Sequence, residues 1–86
     1  NMSRTVIDIL ELPKDILFGI PYLTFHGNLE LIIENHRGLI NYSETEIIVM
    51  AKDNSILVKG VDMVIDEYSK DSIIIRGHLD EVRFIK

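Results

Sequence analysis

One pattern limits what this chain can fold into: a small residue returns at near-constant spacing inside the same apolar frame. Gly27, Ser43, Gly60 and Gly77 lie 16, 17 and 17 residues apart. Each succeeds a short run of β-type residues and precedes a second one. Leu23-Thr-Phe-His leads into Gly27, Ile56-Leu-Val-Lys into Gly60, and Ile73-Ile-Ile-Arg into Gly77. A period of this length is the mark of one supersecondary unit used repeatedly, and a single unit cannot bury its apolar face alone. The four small residues are therefore read as structural bends.

Composition supports strands. Fifteen Ile and six Val stand against a single Ala, and branched side chains suit a pleated surface better than a helix. Eighty-six residues make one domain, near the lower end of what folds without disulfides or metal. There is no Cys, so neither a disulfide framework nor a thiolate metal site can form. Residues 3–20 are interrupted by Asp8, Glu11, Pro13, Lys14 and Asp15, unlike a secretory signal. No apolar run approaches the roughly 20 residues of a membrane span. A net charge of −5, with no Lys/Arg cluster to offset it, argues against nucleic acid as a partner. Asn1 ahead of Met2 reads as a remnant of tag removal, with Met2 as the start.

Two parts are expected: an amphipathic helical segment over 3–18 and a β-repeat domain over 22–86. Ser3 is a suitable N-cap, and Arg4, Asp8, Glu11 and Asp15 recur along one side, leaving Val6, Ile7, Ile9, Leu10 and Leu12 on the other. Pro13 stops the helix at the residue before it, and Pro21 imposes an extended approach to the first strand. A helix this short is not stable alone in water, so its apolar side must dock on the β-domain or on another protein. From Tyr22 on, the polar stretches 35–38, 52–55 and 69–72 have hairpin length and turn-forming residues. They are read as reversals, and the small residues as kinks within continuing strands. Four bent arms, approximately 22–34, 38–51, 55–67 and 72–85, would then form a small antiparallel two-layer roll or sandwich with the small residues along its crease. A β-solenoid with parallel stacking of the units is the alternative; antiparallel pairs are the commoner kind overall.

Leu31-Ile-Ile33, Ile47-Ile-Val-Met50 and Ile73-Ile-Ile75 break the alternation of a strand with one wet face. Apolar side chains on both faces call for a cover, since burying one Leu or Ile is worth about 1.5–3 kcal/mol. Val6, Ile7, Leu10, Ile47, Ile48 and Met50 are the candidate interaction surface, and a homo-oligomer or docking to a protein partner is the expected consequence.

Chemistry-bearing constellations are missing. His26, His36 and His78 do not pair at ligand spacing, so they read as surface or turn histidines and no metal is expected. The many carboxylates, Glu30, Glu46, Asp62 and Asp80 among them, lack a calcium-loop pattern and read as a solvated strand face that discourages edge-to-edge association. Tyr22, Phe25, Tyr42, Tyr68 and Phe84 read as core and edge packing. No nucleophile elbow or Gly-rich phosphate loop is present. Neither an enzyme activity nor a cofactor nor a small-molecule substrate is expected.

Longer stretches carry a resemblance. Leu10-Glu-Leu-Pro-Lys-Asp-Ile-Leu17, the Pro21-Tyr-Leu-Thr-Phe-His-Gly-Asn28 step, Ile33-Glu-Asn-His-Arg-Gly38 and the later Lys59-Gly60 and Arg76-Gly77 steps resemble the YabP/YqfC family of sporulation proteins, and its YqfC branch in particular. The resemblance spans about residues 7–85. It implies a non-enzymatic role in endospore formation: a protein made in the mother cell, acting in forespore maturation or in coat or cortex assembly. It implies protein partners, a sporulation membrane protein among them, and a cytoplasmic location peripheral to the outer forespore membrane. No catalytic or cofactor residues come with it. The competing functional reading is a β-roll that takes a lipid or glycan into its crease, and a filled crease would remove it.

Overall fold

The computed structural model describes residues 18–86. The helical segment expected ahead of them, with Val6, Ile7 and Leu10, lies outside the described residues. From Tyr22 the chain runs through six strands: β1 (Tyr22–His26), β2 (Glu30–Glu34), β3 (Gly38–Tyr42), β4 (Glu46–Met50), β5 (Ser55–Tyr68) and β6 (Ser72–Ile85). They form one six-stranded sheet in the order β1-β2-β6-β5-β4-β3. Every neighbouring pair is antiparallel, so the parallel stacking of a solenoid is absent from this sheet.

The repeated small residues do two different jobs. Gly60 and Gly77 lie inside the continuous 14-residue strands β5 and β6, as a kink would. Gly27 and Ser43 instead sit at the tips of the tight hairpins β1–β2 and β3–β4, so the first two arms are hairpins, not bent strands. The local chemistry explains the difference. Gly27 takes φ +55, left-handed territory that costs glycine little. Ser43 closes its turn with a backbone bond to Glu46 (N···O 2.8 Å), and its Oγ accepts from the Glu46 N–H at 3.0 Å. Ser69 closes the β5–β6 turn in the same way, its Oγ accepting from the Ser72 N–H at 3.1 Å.

The stretch 35–38 is not a reversal either. β2 pairs with β1 and β6, whereas β3 pairs with β4 alone. The connection therefore crosses from one half of the sheet to the other. Asn35 donates its N–H to Asp71 O at 2.6 Å on the first half, and Arg37 donates to Met50 O at 2.7 Å on the second. Asn35 adopts φ +66 to make the crossing, a conformation Asn tolerates better than most residues.

β2 lies along the first half of β6, from Ser72 to Arg76, and β4 along the first half of β5, from Ser55 to Lys59. The hairpin tips then bond to the middles of the long strands. Gly77 and Leu79 donate to Leu29 O (3.1 Å) and Asn28 O (2.8 Å); Gly60 and Met63 donate to Thr45 O (3.2 Å) and Glu44 O (2.9 Å). Here the long ladder slips, between Lys59 and Gly60 and between Val61 and Val64. The inward parity slips with it. Ile56 and Val58 face inward before the shift and Met63 after it, with Asp62 at φ +53 and Gly77 at φ +151. Both halves therefore contribute to one core: Leu31 and Ile33 of β2, Ile47 and Val49 of β4, Ile56, Val58 and Met63 of β5, and Ile73, Ile75 and Leu79 of β6.

Candidate interaction surface

The apolar triplets divide between two faces, as the broken alternation requires. In β2, β4 and β6 the flanking residues Leu31, Ile33, Ile47, Val49, Ile73 and Ile75 are fully buried. The middle residues Ile32, Ile48 and Ile74 turn outward and are half-buried. Register places them in two outer rows: Thr24–Ile32–Ile74–Glu67 on one half and Asn41–Ile48–Leu57–Arg83 on the other. Of the expected interaction residues in the described region, Ile48 and Met50 reach the surface, Met50 with 45% exposure. Ile47 does not: its side chain is 0% exposed and belongs to the core. Strand parity alone makes that distinction between neighbours.

The sheet edges carry the most unusual chemistry. β1 (Tyr-Leu-Thr-Phe-His) and β3 (Gly-Leu-Ile-Asn-Tyr) are the two outermost strands, and neither contains Lys, Arg, Asp or Glu. Edge strands are ordinarily guarded by charge or proline, because their unpaired backbone groups accept another strand. Here they present Tyr22 and Phe25 on β1 and Ile40 and Tyr42 on β3, all exposed. With Tyr68 and Phe84 also exposed, none of these aromatic residues is core; they line edges and ends. The bulge between Leu39 and Asn41 turns Ile40 out of the β3–β4 register.

A polar ladder runs across the first half. Glu30 bonds His26 Nδ1 at 2.5 Å and Arg76 Nε at 2.7 Å, and the same guanidinium reaches Asp66. The bond to His26 first, and that to Arg76 second, lower the Glu30 carboxyl from its ordinary value; Glu30 in turn raises that of Arg76. This is a cross-strand charge row, not a ligand set. Among the described residues no group of three or more His, Asp or Glu is placed to hold a metal ion.

His36 lies in the polar connection expected of it, between β2 and β3, but it is not solvated there. It is 7% exposed and is the buried polar residue of the described region. Its Nδ1 accepts from the Gly38 N–H at 3.0 Å, which leaves Nε2 to donate to Ser69 O at 2.8 Å. Its ring meets that of Tyr68 edge-on, with centroids 5.4 Å apart. Asn35 Nδ2 donates to Ile20 O at 2.9 Å. The Asn35-His36-Arg37 run thus fastens the approach to β1, the β5–β6 turn and β4 together. A string of polar turn formers gave no pattern by which to tell this anchor from a solvated loop.

Where β5 and β6 cross the hairpin tips the inner side is packed, while a groove of about 230 Å³ stays open beside it, lined by Phe25, Gly27, Asn28 and Leu79–Val82. Met63 is fully buried between the halves, and a Cβ on Gly77 would lie 2.8 Å from the Met63 Cα.

A six-stranded antiparallel sheet whose two outer strands contain no Lys, Arg, Asp or Glu defines a small all-β domain. The chain belongs to the YabP family, whose sequence profile matches residues 21–86. It is 36% identical over 86 residues to "Uncharacterized protein YqfC" of Bacillus subtilis (strain 168), covering 100% of this chain and 92% of that protein. No solved structure matches. Family membership points to a sporulation-related protein. Among the described residues no helix is long and apolar enough to cross a membrane.

Proposed function

We propose that this domain is a non-enzymatic adaptor in endospore formation, acting in the mother cell through protein–protein association during forespore maturation or coat or cortex assembly. The observation that carries the reading is the pair of outer strands without Lys, Arg, Asp or Glu, each showing exposed aromatic or aliphatic residues. A protein strand that adds to such an edge gains backbone hydrogen bonds, with alternate side chains supplying specificity. Self-association and docking on a membrane protein of the outer forespore membrane both fit that chemistry. Family membership supplies the sporulation context.

The test is complementation. A B. subtilis strain lacking YqfC is given this chain or the variant Ile40→Lys, which places a charge on the β3 edge, and heat-resistant spores are counted. The wild-type chain is expected to restore spore yield, and the folded variant to fail while losing partners captured by crosslinking. Full restoration by Ile40→Lys would remove the β3 edge from the proposal. A strain that sporulates normally without YqfC would remove the role.

A further inference from the structure

The two outermost strands are not equally open. β3 carries a bulge between Leu39 and Asn41, and a bulge is one of the devices that keep an edge from pairing. β1 has none: from Tyr22 to His26 it holds regular register with β2. Among the described residues nothing pairs with its outer side.

The backbone groups on that side follow from the ladder. On the β2 line, Leu29 O accepts from Gly77 and the Asn35 N–H donates to Asp71 O, both toward β6. Strand backbone groups alternate in direction, so Glu30, Ile32 and Glu34 aim theirs at their β1 partners His26, Thr24 and Tyr22. Leu23 and Phe25 are left with N–H and C=O pointing away from β2. Leu23 packs against the core, so Phe25, two residues on, shares its inward face. Phe25 is nonetheless 48% exposed, because it borders the open groove along Leu79–Val82.

This edge is complementary to itself. In an antiparallel pair of β1 strands centred on Thr24, Leu23 of one copy meets Phe25 of the other, and their outward N–H and C=O groups match. Tyr22 then meets His26, and Thr24 meets its counterpart; aliphatic–aromatic and Thr–Thr neighbours are favourable cross-strand pairs. Centring the pair on Leu23 would set Phe25 against Pro21, which has no N–H. Centring it on Phe25 would set Leu23 against Gly27, already in the turn at φ +55.

Charge points the same way. Two copies of a chain with net charge −5 repel over much of their surface, but β1 contains no Lys, Arg, Asp or Glu. Beside β1, the second half of β6 runs in the opposite direction: Ile20 and Pro21 share a hollow with Phe84, and Phe25 and Gly27 share one with Leu79–Val82. A two-fold through Thr24 therefore turns the end with Asp80 and Glu81 in one copy toward the end with Arg83 and Lys86 in the other, an arrangement of opposite charges.

We infer that β1 pairs with β1 of a second copy, antiparallel and centred on Thr24, so that two sheets become one and Phe25 is covered. The inference rests on the adaptor reading's use of the outer strands and names the occupant of one of them, leaving β3 to a different partner. Five residues from each copy make a small contact, so the dimer is reversible.

The native chain has no cysteine, so single-cysteine variants of the full chain report the register. Residues directly opposite have Cβ atoms about 4.5–5.5 Å apart, close enough for a disulfide. Thr24→Cys is expected to give a disulfide-linked dimer at least about 10-fold faster than Tyr22→Cys, whose counterpart lies about 13 Å along the strand. An equal mixture of Tyr22→Cys and His26→Cys is expected to crosslink far faster than either alone. Equal rates for Thr24→Cys and Tyr22→Cys overturn the inference. Sedimentation of the cysteine-free chain is a second measure: a concentration-dependent dimer is expected, lost in Phe25→Lys with an unchanged circular dichroism spectrum. A chain that stays monomeric at every concentration, or a Phe25→Lys protein that still dimerises, overturns it as well. Both measures use purified protein alone, whereas the adaptor reading is tested by spore yield with a β3 variant, so either can fail without the other.

Discussion

Gly60 rests against the backbone of His78: a Cβ built on Gly60 would lie 2.2 Å from the His78 carbonyl oxygen. No real Cβ tolerates that approach, so the bend of β5 over β6 depends on the absence of a side chain. Gly60→Ala is expected to destabilise the domain by about 3 kcal/mol, the upper end of the usual cost of overpacking, since backbone must shift to relieve the overlap. Gly27 differs, because nothing lies within 4 Å of its Cβ position and only its φ of +55 penalises a side chain. Gly27→Ala is expected to cost about 1–2 kcal/mol, and Gly27→Asn less. Urea unfolding of the three variants checks the order; equal losses at Gly60 and Gly27 would mean that the crease is looser than described.

The neighbours Ile47 and Ile48 give a second contrast. Ile47→Ala removes a side chain with no exposure and is expected to cost about 2–5 kcal/mol. Met50→Ala, at a half-exposed site on the same outer face as Ile48, is expected to cost under about 1 kcal/mol. Denaturant midpoints at constant slope measure both. A Met50 loss as large as that at Ile47 would show the outer face to be as tightly packed as the core.

His36 tests the joint between the halves. His36→Ala deletes one acceptor and one donor and leaves the Gly38 N–H and Ser69 C=O without their partner. At about 0.5–1.5 kcal/mol per hydrogen bond, plus the lost contact with Tyr68, a total near 2–4 kcal/mol is expected. Amide exchange should accelerate at Gly38 and around Ser69 before the centres of β2 and β4 respond. Uniform acceleration across the sheet would assign His36 to general packing instead.

The fold was legible in the sequence where local chemistry decides the structure. The starts of β1, β3, β5 and β6, at Tyr22, Gly38, Ser55 and Ser72, are set directly by Pro21 and the polar turns. The two apolar faces come from the broken alternation of the apolar runs. The spacing leaves a solenoid open, and the antiparallel sense is favoured only as the commoner pairing, which the registers bear out. What the period could not show is that one spacing serves two geometries. A glycine with φ +55 at Gly27 ends a strand, whereas Gly60 and Gly77 allow close approach inside one. That choice is made by long-range pairing, as β2 and β4 find β6 and β5 and not each other's hairpins. The burial of His36 and the aromatic, uncharged character of the outer strands are tertiary facts of the same kind: Tyr42 and Phe25 look like core residues until the strand order makes them edges.

The Glu30 ladder makes stability depend on pH in a definite direction. Glu30 keeps only 18% of its side chain exposed and bonds both His26 and Arg76. Its carboxyl is therefore held below the ordinary value of 4.5 in the folded protein. A group with a depressed folded pKa adds stability that is fully present above its unfolded value and is lost as pH falls through the folded one. The contribution is thus intact at neutral pH and fades below about pH 4.5. Glu30→Gln removes the charge-assisted part of the row while keeping its shape. It is expected to be less stable than the wild type at pH 7, with the gap narrowing steadily as pH is lowered from 5 toward 3 (about two units). Thermal unfolding of both proteins across that range measures it. A gap that stayed constant with pH would show that Glu30 contributes packing alone.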